Sequence, residues 1–128
     1  MERAHYEYLA NQIFNAALEV HKNLGPGLLE SVYEFSMVKE LEIRGIDVAC
    51  QIAIPLYYKG HNTGKGFFID MLVEDEIIIE VKAVEHLLPV HEAQLLSYLR
   101  LTNKRLGFLI NFNVVLLKEG FKRKVFNY

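Results

Sequence analysis

The stretch from Gly66 to Ala83, GFFIDMLVEDEIIIEVKA, constrains the fold most, because it places charged groups inside two strongly apolar segments. The acidic triplet Glu74-Asp75-Glu76 separates these segments and predicts a β-hairpin. Side chains alternate between the two faces of a strand. One predicted face is therefore entirely apolar and holds Phe67, Ile69, Met71, Val73, Ile77, Ile79, Val81 and Ala83. The opposite face holds Phe68, Asp70, Leu72, Ile78, Glu80 and Lys82.

Asp70 and Glu80 meet across this hairpin only if its loop has an odd number of residues, because a one-residue slip moves every side chain to the other face. We therefore predict a loop of three or five residues centred on Asp75. A buried carboxylate is costly unless it is paired or bound to a metal. The two acids and Lys82 thus form either a salt-bridged cluster or a metal site, and their spacing alone does not distinguish the two.

The other elements are predicted from apolar periodicity. Helical spacing predicts helices over residues 4–23, 28–44 and 90–102. Alternation predicts a strand over 46–58, with Pro55 marking a sheet edge, and strands over 105–111 and 114–117. The polar segment 59–64 predicts a turn with a solvated His61. The order α-α-β-β-β-α-β-β predicts one α/β domain over residues 1–128, a mixed β-sheet flanked by helices.

Composition limits the classes of protein this chain can be. Its 128 residues are 52% apolar and 23% charged, which is typical of one globular domain. No apolar run is long enough to span a bilayer and no basic-apolar leader begins the chain, so we expect a cytoplasmic protein without a membrane partner. Cys50 is the only cysteine and is expected to be a small buried apolar residue. The net charge of −2 indicates that any phosphate-binding surface is local or metal-assisted. The basic residues Lys118, Lys122, Arg123 and Lys124 form either a solubilising face, which is the interpretation we favour, or a phosphate contact.

The second predicted helix carries a mixed polar and apolar side. Glu30, Tyr33, Glu34, Met37 and Leu41 lie three or four residues apart and share that side. Glu34 is expected to face solvent. His21, near the end of the first helix, is equally compatible with a terminal histidine favoured by the helix dipole and with a residue that faces a site.

Phosphodiester cleavage at neutral pH requires an activated water and neutralisation of the charge on phosphorus, which one or two Mg²⁺ or Mn²⁺ ions supply when carboxylate oxygens bind them. Asp70 and Glu80 offer such oxygens, and the main-chain carbonyl of Val81 is a candidate third ligand. Lys82 shares the face of Glu80, where its ammonium can orient the attacking water and stabilise the transition state.

Two motifs resemble a known nuclease group. Asp70 followed by Glu80-Val81-Lys82 resembles the D…(D/E)xK signature of the PD-(D/E)xK nuclease superfamily. Gly27-Leu28-Leu29-Glu30-Ser31-Val32-Tyr33, preceded by His21, resembles the signature of the GxxExxY family within it. The likeness extends through Tyr98, although Ile69 stands where the literal motif has a proline.

The resemblance implies a restriction-endonuclease-like core and residue roles. It implies that Glu30 approaches the metal site from the helix, with Asp70, Glu80 and Lys82 as the core acids and lysine. Gln94 and Tyr98 match a Q-x-x-x-Y pattern that lies against the site and the nucleic-acid backbone. We expect these two, together with Tyr33 and His21, to position substrate.

Three functions follow as hypotheses. The first is a nuclease dependent on Mg²⁺ or Mn²⁺ and acting on DNA more than RNA, with Glu30, Asp70, Glu80 and the Val81 carbonyl at the metal and Lys82 as the catalytic lysine. The second is a catalytically silent nucleic-acid-binding or regulatory subunit on the same fold. The third is a histidine-based metal site or hydrolase built on His21, His86 and His91, which lack paired spacing on a helix. A homodimer would enlarge the surface that grips a duplex.

Overall fold

The computed structural model describes all residues 1–128 and contains nine elements. They are α1 (Arg3–Leu24), α2 (Glu30–Ile43), β1 (Val48–Tyr58), β2 (His61–Val73), β3 (Ile77–Lys82), α3 (Pro89–Thr102), β4 (Leu106–Asn111), α4 (Leu117–Gly120) and β5 (Phe121–Val125). The predicted α/β class and mixed sheet are confirmed. None of the helices is long and apolar enough to cross a membrane.

The helices begin and end close to where the sequence indicates. Helix α1 stops at Gly25, whose φ of 67° few other residues adopt. Gly45, with a φ of 74°, follows the end of α2. Pro89 opens α3, a position where its missing N–H costs nothing.

The five strands form one sheet in the order β1-β2-β3-β4-β5. Three neighbouring pairs are antiparallel, whereas β3 and β4 run parallel. Parallel neighbours need a crossover connection, and α3 provides it. The edge position of β1 confirms the interpretation of Pro55, because an edge strand tolerates a missing N–H.

Apolar side chains form two cores, one on each face of the sheet. The larger core lies under α1 and α2 and includes Ile13, Met37, Val73 and Ile79. The smaller one lies under α3 and joins Leu95 and Leu99 to Ile69, Leu72, Ile78 and Leu109. Strands β3 and β4 are buried between the two layers of helices, which explains their nearly continuous apolar sequences.

The loop between β2 and β3 has the predicted odd length. Val73 pairs with Ile77, so the loop is the three residues Glu74–Glu76 centred on Asp75. Glu74 and Asp75 have φ values of 51° and 59°. The side chain of Lys104 donates a hydrogen bond of 2.8 Å to the Asp75 carbonyl, which ties the turn to the end of α3.

The prediction of one continuous apolar face on β2 is wrong. Met71 and Val73 pack under α1 and α2, but Ile69 packs under α3. β1 changes face at the same level, since Val48 contacts the first core and Ile52 the second. Gln51 lies between these two residues with a φ of 50°, a backbone conformation that breaks strand alternation.

Three local predictions also need correction. Residues 114–117 are not a strand: a bend leads into α4, and the last strand lies at Phe121–Val125, inside the predicted basic tail. The turn before β2 is only Lys59-Gly60, with φ values of 48° and 80°, so His61 already belongs to β2, where it is exposed as predicted. Cys50 is exposed, not buried, because it lies on the edge strand beside the change of face.

Replacing Leu99 with alanine should lower the free energy of unfolding by about 2 to 5 kcal/mol, because a buried cavity replaces packed methyl groups. Leu99 is 0% exposed in the core under α3. Leu101→Ala is the matched control on the same helix, since Leu101 is 50% exposed and should change stability by less than about 0.5 kcal/mol. Urea denaturation measures both, and equal losses would contradict the assigned core.

Candidate metal centre

Asp70 and Glu80 lie where β2 separates from β3. The last main-chain pair between these strands is Met71 with Ile79. Beyond it, the Asp70 N–H donates to Glu80 Oε2 at 3.2 Å and the Val81 N–H donates to Asp70 Oδ2 at 2.9 Å. Side-chain carboxyls thus take the place of main-chain carbonyls at the point of divergence. This crossed pair of hydrogen bonds fixes both acids relative to the backbone.

Helix α2 brings two further acids to Asp70. Glu30 is its first residue and Glu34 lies one turn later, on the same side. One carboxylate oxygen from each of Glu30, Glu34 and Asp70 lies within 4.8 Å of the others. We call these three residues the acidic cluster. The expectation that Glu34 faces solvent is wrong, because the residue is half-buried and turned towards Asp70.

Burial and the charges of neighbouring acids raise the pKa values of Glu30, Glu34 and Glu80. Desolvation, followed by the charges of Asp70 and Glu30, raises the pKa of Glu34 to about 7. Desolvation also raises the pKa of Glu30. Glu80 is only 6% exposed, and burial together with its contact to Asp70 raises its pKa to about 9. A carboxyl with such a pKa is protonated at neutral pH unless a cation compensates its charge.

Lys82 supplies positive charge to the whole region. Its ammonium opposes the upward pKa shifts of Glu30, Glu34 and Glu80. The main chain at Lys82 is held by the residue after β4, since the Phe112 N–H donates to the Lys82 carbonyl at 3.0 Å. The side chain of Lys82 remains partly accessible.

Asn111 is a residue of this region that the sequence analysis missed. It is 2% exposed, its side-chain oxygen accepts from the Val84 N–H at 3.0 Å, and its side-chain nitrogen donates to the Val84 carbonyl at 2.9 Å. The segment after Lys82 is held in place by this amide. The sequence could have indicated this role, because Asn111 is the one polar residue at the end of the apolar run that begins at Leu106. A buried amide needs hydrogen-bond partners.

Gln94 and Tyr98 reach the acids from α3, on the other face of the sheet. The Tyr98 ring stacks on Phe67 with centroids 4.0 Å apart. Burial, and then the charges of Glu80 and Asp70, raise the Tyr98 pKa, while a hydrogen bond with the Gln94 side chain lowers it. Tyr98 therefore lies near Glu80, and the exposed Gln94 lies beside it.

Tyr33 is enclosed by the protein, and its predicted role in positioning substrate stays a prediction. Its ring is 0% exposed and stacks on Phe112 with centroids 4.7 Å apart. Its hydroxyl donates to the Gly25 carbonyl at 2.6 Å and accepts from the Leu28 N–H at 3.1 Å. Tyr33 therefore fixes the loop that leads into Glu30.

The histidines do not form a metal site of their own. His21 Nε2 lies 2.8 Å from the Val114 carbonyl, and a role for His21 in positioning substrate stays a prediction. His91 Nδ1 accepts from the Leu88 N–H at 3.0 Å. His86 is exposed beside Glu85. Carboxylates alone make up the cluster that could hold a metal ion, so no contact supports the histidine-based hypothesis.

The acidic cluster fits a hard divalent cation. Carboxylate oxygens are the ligands that Mg²⁺ prefers. Glu30, Glu34 and Asp70 each offer one such oxygen, all within 4.8 Å of one another, and these three residues would hold the ion. Burial, and after it the charges of neighbouring acids, raises the pKa values of Glu30 and Glu34, and a cation would stabilise the ionised form of both.

Comparison with known proteins identifies the group to which this chain belongs. A family model described as the PD-(D/E)XK nuclease superfamily matches residues 7–124, and the chain belongs to that superfamily. The five-stranded mixed sheet with four helices is accordingly a restriction-endonuclease-like fold. No curated protein and no solved structure matches the chain.

The unfolding free energy of the metal-free protein should decrease as pH rises from about 4.5 to about 9. The pKa of Glu80 is raised from 4.5 to about 9 by folding; its favourable contribution is full below the unfolded value and is lost as pH rises through the folded value. Glu80→Gln should flatten this decrease. Denaturation in chelator at several pH values measures it, and an identical slope in Glu85→Gln, an exposed control, is expected.

Proposed function

We propose that this protein is a nuclease that hydrolyses phosphodiester bonds and depends on Mg²⁺ or Mn²⁺. The single observation that carries the proposal is the convergence of Glu30, Glu34 and Asp70 beside Lys82. Membership of a nuclease superfamily over residues 7–124 supports it. We further propose DNA as the preferred polymer and, from the Gly27–Tyr33 motif, the GxxExxY family as the closer affiliation.

Asp70, Glu30 and Glu34 would hold the ion, and Glu80 and the Val81 carbonyl are the neighbouring candidates. When bound, the ion would supply an activated water and charge neutralisation at phosphorus. The crossed hydrogen bonds of Asp70 and Glu80 orient these acids before substrate arrives. Such preorganisation avoids the cost of rearranging charged groups during the reaction.

Lys82 acts as the catalytic cation in this proposal. Its ammonium would hold the attacking water by hydrogen bonding and stabilise the extra negative charge that develops on the phosphoryl oxygens. Gln94 and the Tyr98–Phe67 stack would position the strand on the α3 side. His21 remains a candidate for the same positioning role, and a homodimer would extend the surface available to a duplex.

Lys82→Ala and Asp70→Asn should each reduce cleavage of DNA by about 100-fold or more, because each removes charge that acts in the transition state. The assay follows single- and double-stranded DNA and RNA with Mg²⁺, Mn²⁺ or chelator. Binding of nucleic acid without cleavage under every condition would instead favour the catalytically silent alternative.

Matched variants control this experiment. Lys39→Ala removes a 57% exposed lysine side chain, and Asp75→Asn alters an aspartate whose side chain is 89% exposed. Both should cleave as wild type does. Circular dichroism confirms folding of every variant, and activity that persists unchanged in Lys82→Ala and Asp70→Asn would indicate a contaminant.

The affinity for Mn²⁺ should weaken as pH falls below about 7, because a proton on Glu34 must be displaced before the ion binds. The value follows from the pKa of Glu34, which is raised to about 7. Glu34→Gln should bind the ion less tightly and lack the step near pH 7. Calorimetric titration at pH 6, 7 and 8, chosen as roughly one unit either side of that value, measures the effect; an unchanged step in Glu34→Gln would contradict the assignment.

A further inference from the structure

The β1–β2 hairpin extends beyond the rest of the sheet. β2 pairs with β3 only through residues 71–73, while its pairing with β1 continues from Ile69 to His61. We call residues 52–69 the arm. From Tyr57 to Gly66 every residue of the arm is exposed. The arm begins directly beside Asp70, so whatever it binds lies next to the acidic cluster.

The charge of the arm differs from that of the chain as a whole. Between Asp47 and Asp70 the sequence contains no acidic residue, but it contains Lys59 and Lys65, whereas the chain has a net charge of −2. Lys59 Nζ lies 5.5 Å from the ring centroid of Tyr58. A basic, aromatic projection on an acidic protein is complementary to a phosphate backbone.

Two exposed aromatic rings lie along the arm. Phe67 stacks on Tyr98 of α3, so Phe68 points to the opposite side, where α2 lies. Tyr57 lies further out on β1, beyond an irregularity in the pairing with β2 between Pro55 and Tyr57. Phe68 and Tyr57 are both 60% exposed. Exposed aromatic rings of this kind offer surfaces on which bases can stack.

A shallow trough of about 400 Å³ lies along the arm beside Phe68. Ala53, Pro55, Gly64, Lys65, Gly66 and Phe68 are among its lining residues. The Cβ of any larger residue at Gly66 would lie 2.5 Å from the Ile54 carbonyl oxygen, so the close approach of the two strands there requires glycine. Small residues, the Phe68 ring and Lys65 therefore line the trough together.

We propose that the arm binds unpaired nucleotides of the substrate, whose bases stack on Phe68 and Tyr57 and whose phosphates contact Lys59 and Lys65. The proposal rests on the proposed nuclease function and narrows its substrate to single-stranded or locally unpaired nucleic acid. Stacking accepts any base, because every base has a π face. At about 3.3 Å per residue, Lys65 lies roughly 16 Å along β2 from Asp70, a span of several nucleotides.

Binding of a labelled 20-nucleotide single strand and of the matching duplex, measured by fluorescence anisotropy in chelator, tests the arm without cleavage. The strand is longer than the site of about 4 to 16 nucleotides typical of one stacking domain. The wild-type chain should bind the single strand more tightly. Phe68→Ala and Tyr57→Ala should each weaken that binding on the order of tenfold. Tyr8→Ala, 53% exposed on α1 and outside the arm, is the matched control and should have a smaller effect.

The contribution of Lys59 and Lys65 is measured by the salt dependence of binding. Lys59→Ala combined with Lys65→Ala should reduce the slope of log K against log salt by about 1.4, because each phosphate contact on a single strand contributes about 0.7. Lys22→Ala with Lys39→Ala, exposed lysines outside the arm, should leave the slope unchanged. Equal affinity for duplex and single strand, or unchanged binding in the ring variants, would overturn the proposal.

A small diester separates this proposal from the nuclease proposal. Bis(p-nitrophenyl) phosphate is too short to reach Tyr57 from Asp70, so Tyr57→Ala should hydrolyse it as wild type does in Mn²⁺ while cleaving single strands more slowly. Loss of single-strand binding in the ring variants, with no hydrolysis by wild type, would refute the nuclease and leave the binding arm standing. A change in molecular mass in the ring variants would show instead that the arm joins two copies of the chain, and would overturn the proposal.

Discussion

The crossed hydrogen bonds between Asp70 and Glu80 determine how the rest of the site is built. They replace the main-chain ladder where β2 leaves β3, and main-chain groups left unpaired at this depth would be costly. The divergence opens a space that α2 fills with Glu30 and Glu34. The same divergence releases the rest of β2 to form the arm with β1. The crossed hydrogen bonds at the point where β2 leaves β3 therefore place the acidic cluster and the arm side by side.

The excess of acids over bases around Asp70 explains why this region is suited to binding a cation. Lys82 opposes the raised pKa values of Glu30, Glu34 and Glu80, but its single charge does not cancel the charges of three acids. Burial and the neighbouring acids raise the pKa of Glu34 and of Glu80, so both carboxyls retain protons to higher pH. Cation binding and proton release are therefore coupled, as expected wherever ligands must be deprotonated.

Much of this arrangement could be predicted from the sequence where local patterns decide the outcome. The acidic triplet set the three-residue loop, and with it the proximity of Asp70 and Glu80. The change of face at Gln51 could not be predicted, because a positive φ in a non-glycine residue leaves no signature in apolar alternation. The side of α2 that holds Glu34 could be predicted from its spacing to Glu30. Its proximity to Asp70 could not, because Asp70 lies on a distant strand. β5 was missed because Lys122, Arg123 and Lys124 suggested a solvated tail, whereas an edge strand tolerates charged residues.

The hydrogen bonds of the Tyr33 hydroxyl affect how variants at this position should be interpreted. It closes the loop between α1 and α2 through Gly25 and Leu28, and this loop sets where Glu30 begins its helix. In a screen scored only by loss of activity, changes at Tyr33 would be grouped with changes at residues that meet the substrate. The ring is wholly enclosed, so such a phenotype would report a displaced carboxylate, and an invariant tyrosine at this position would record an architectural requirement.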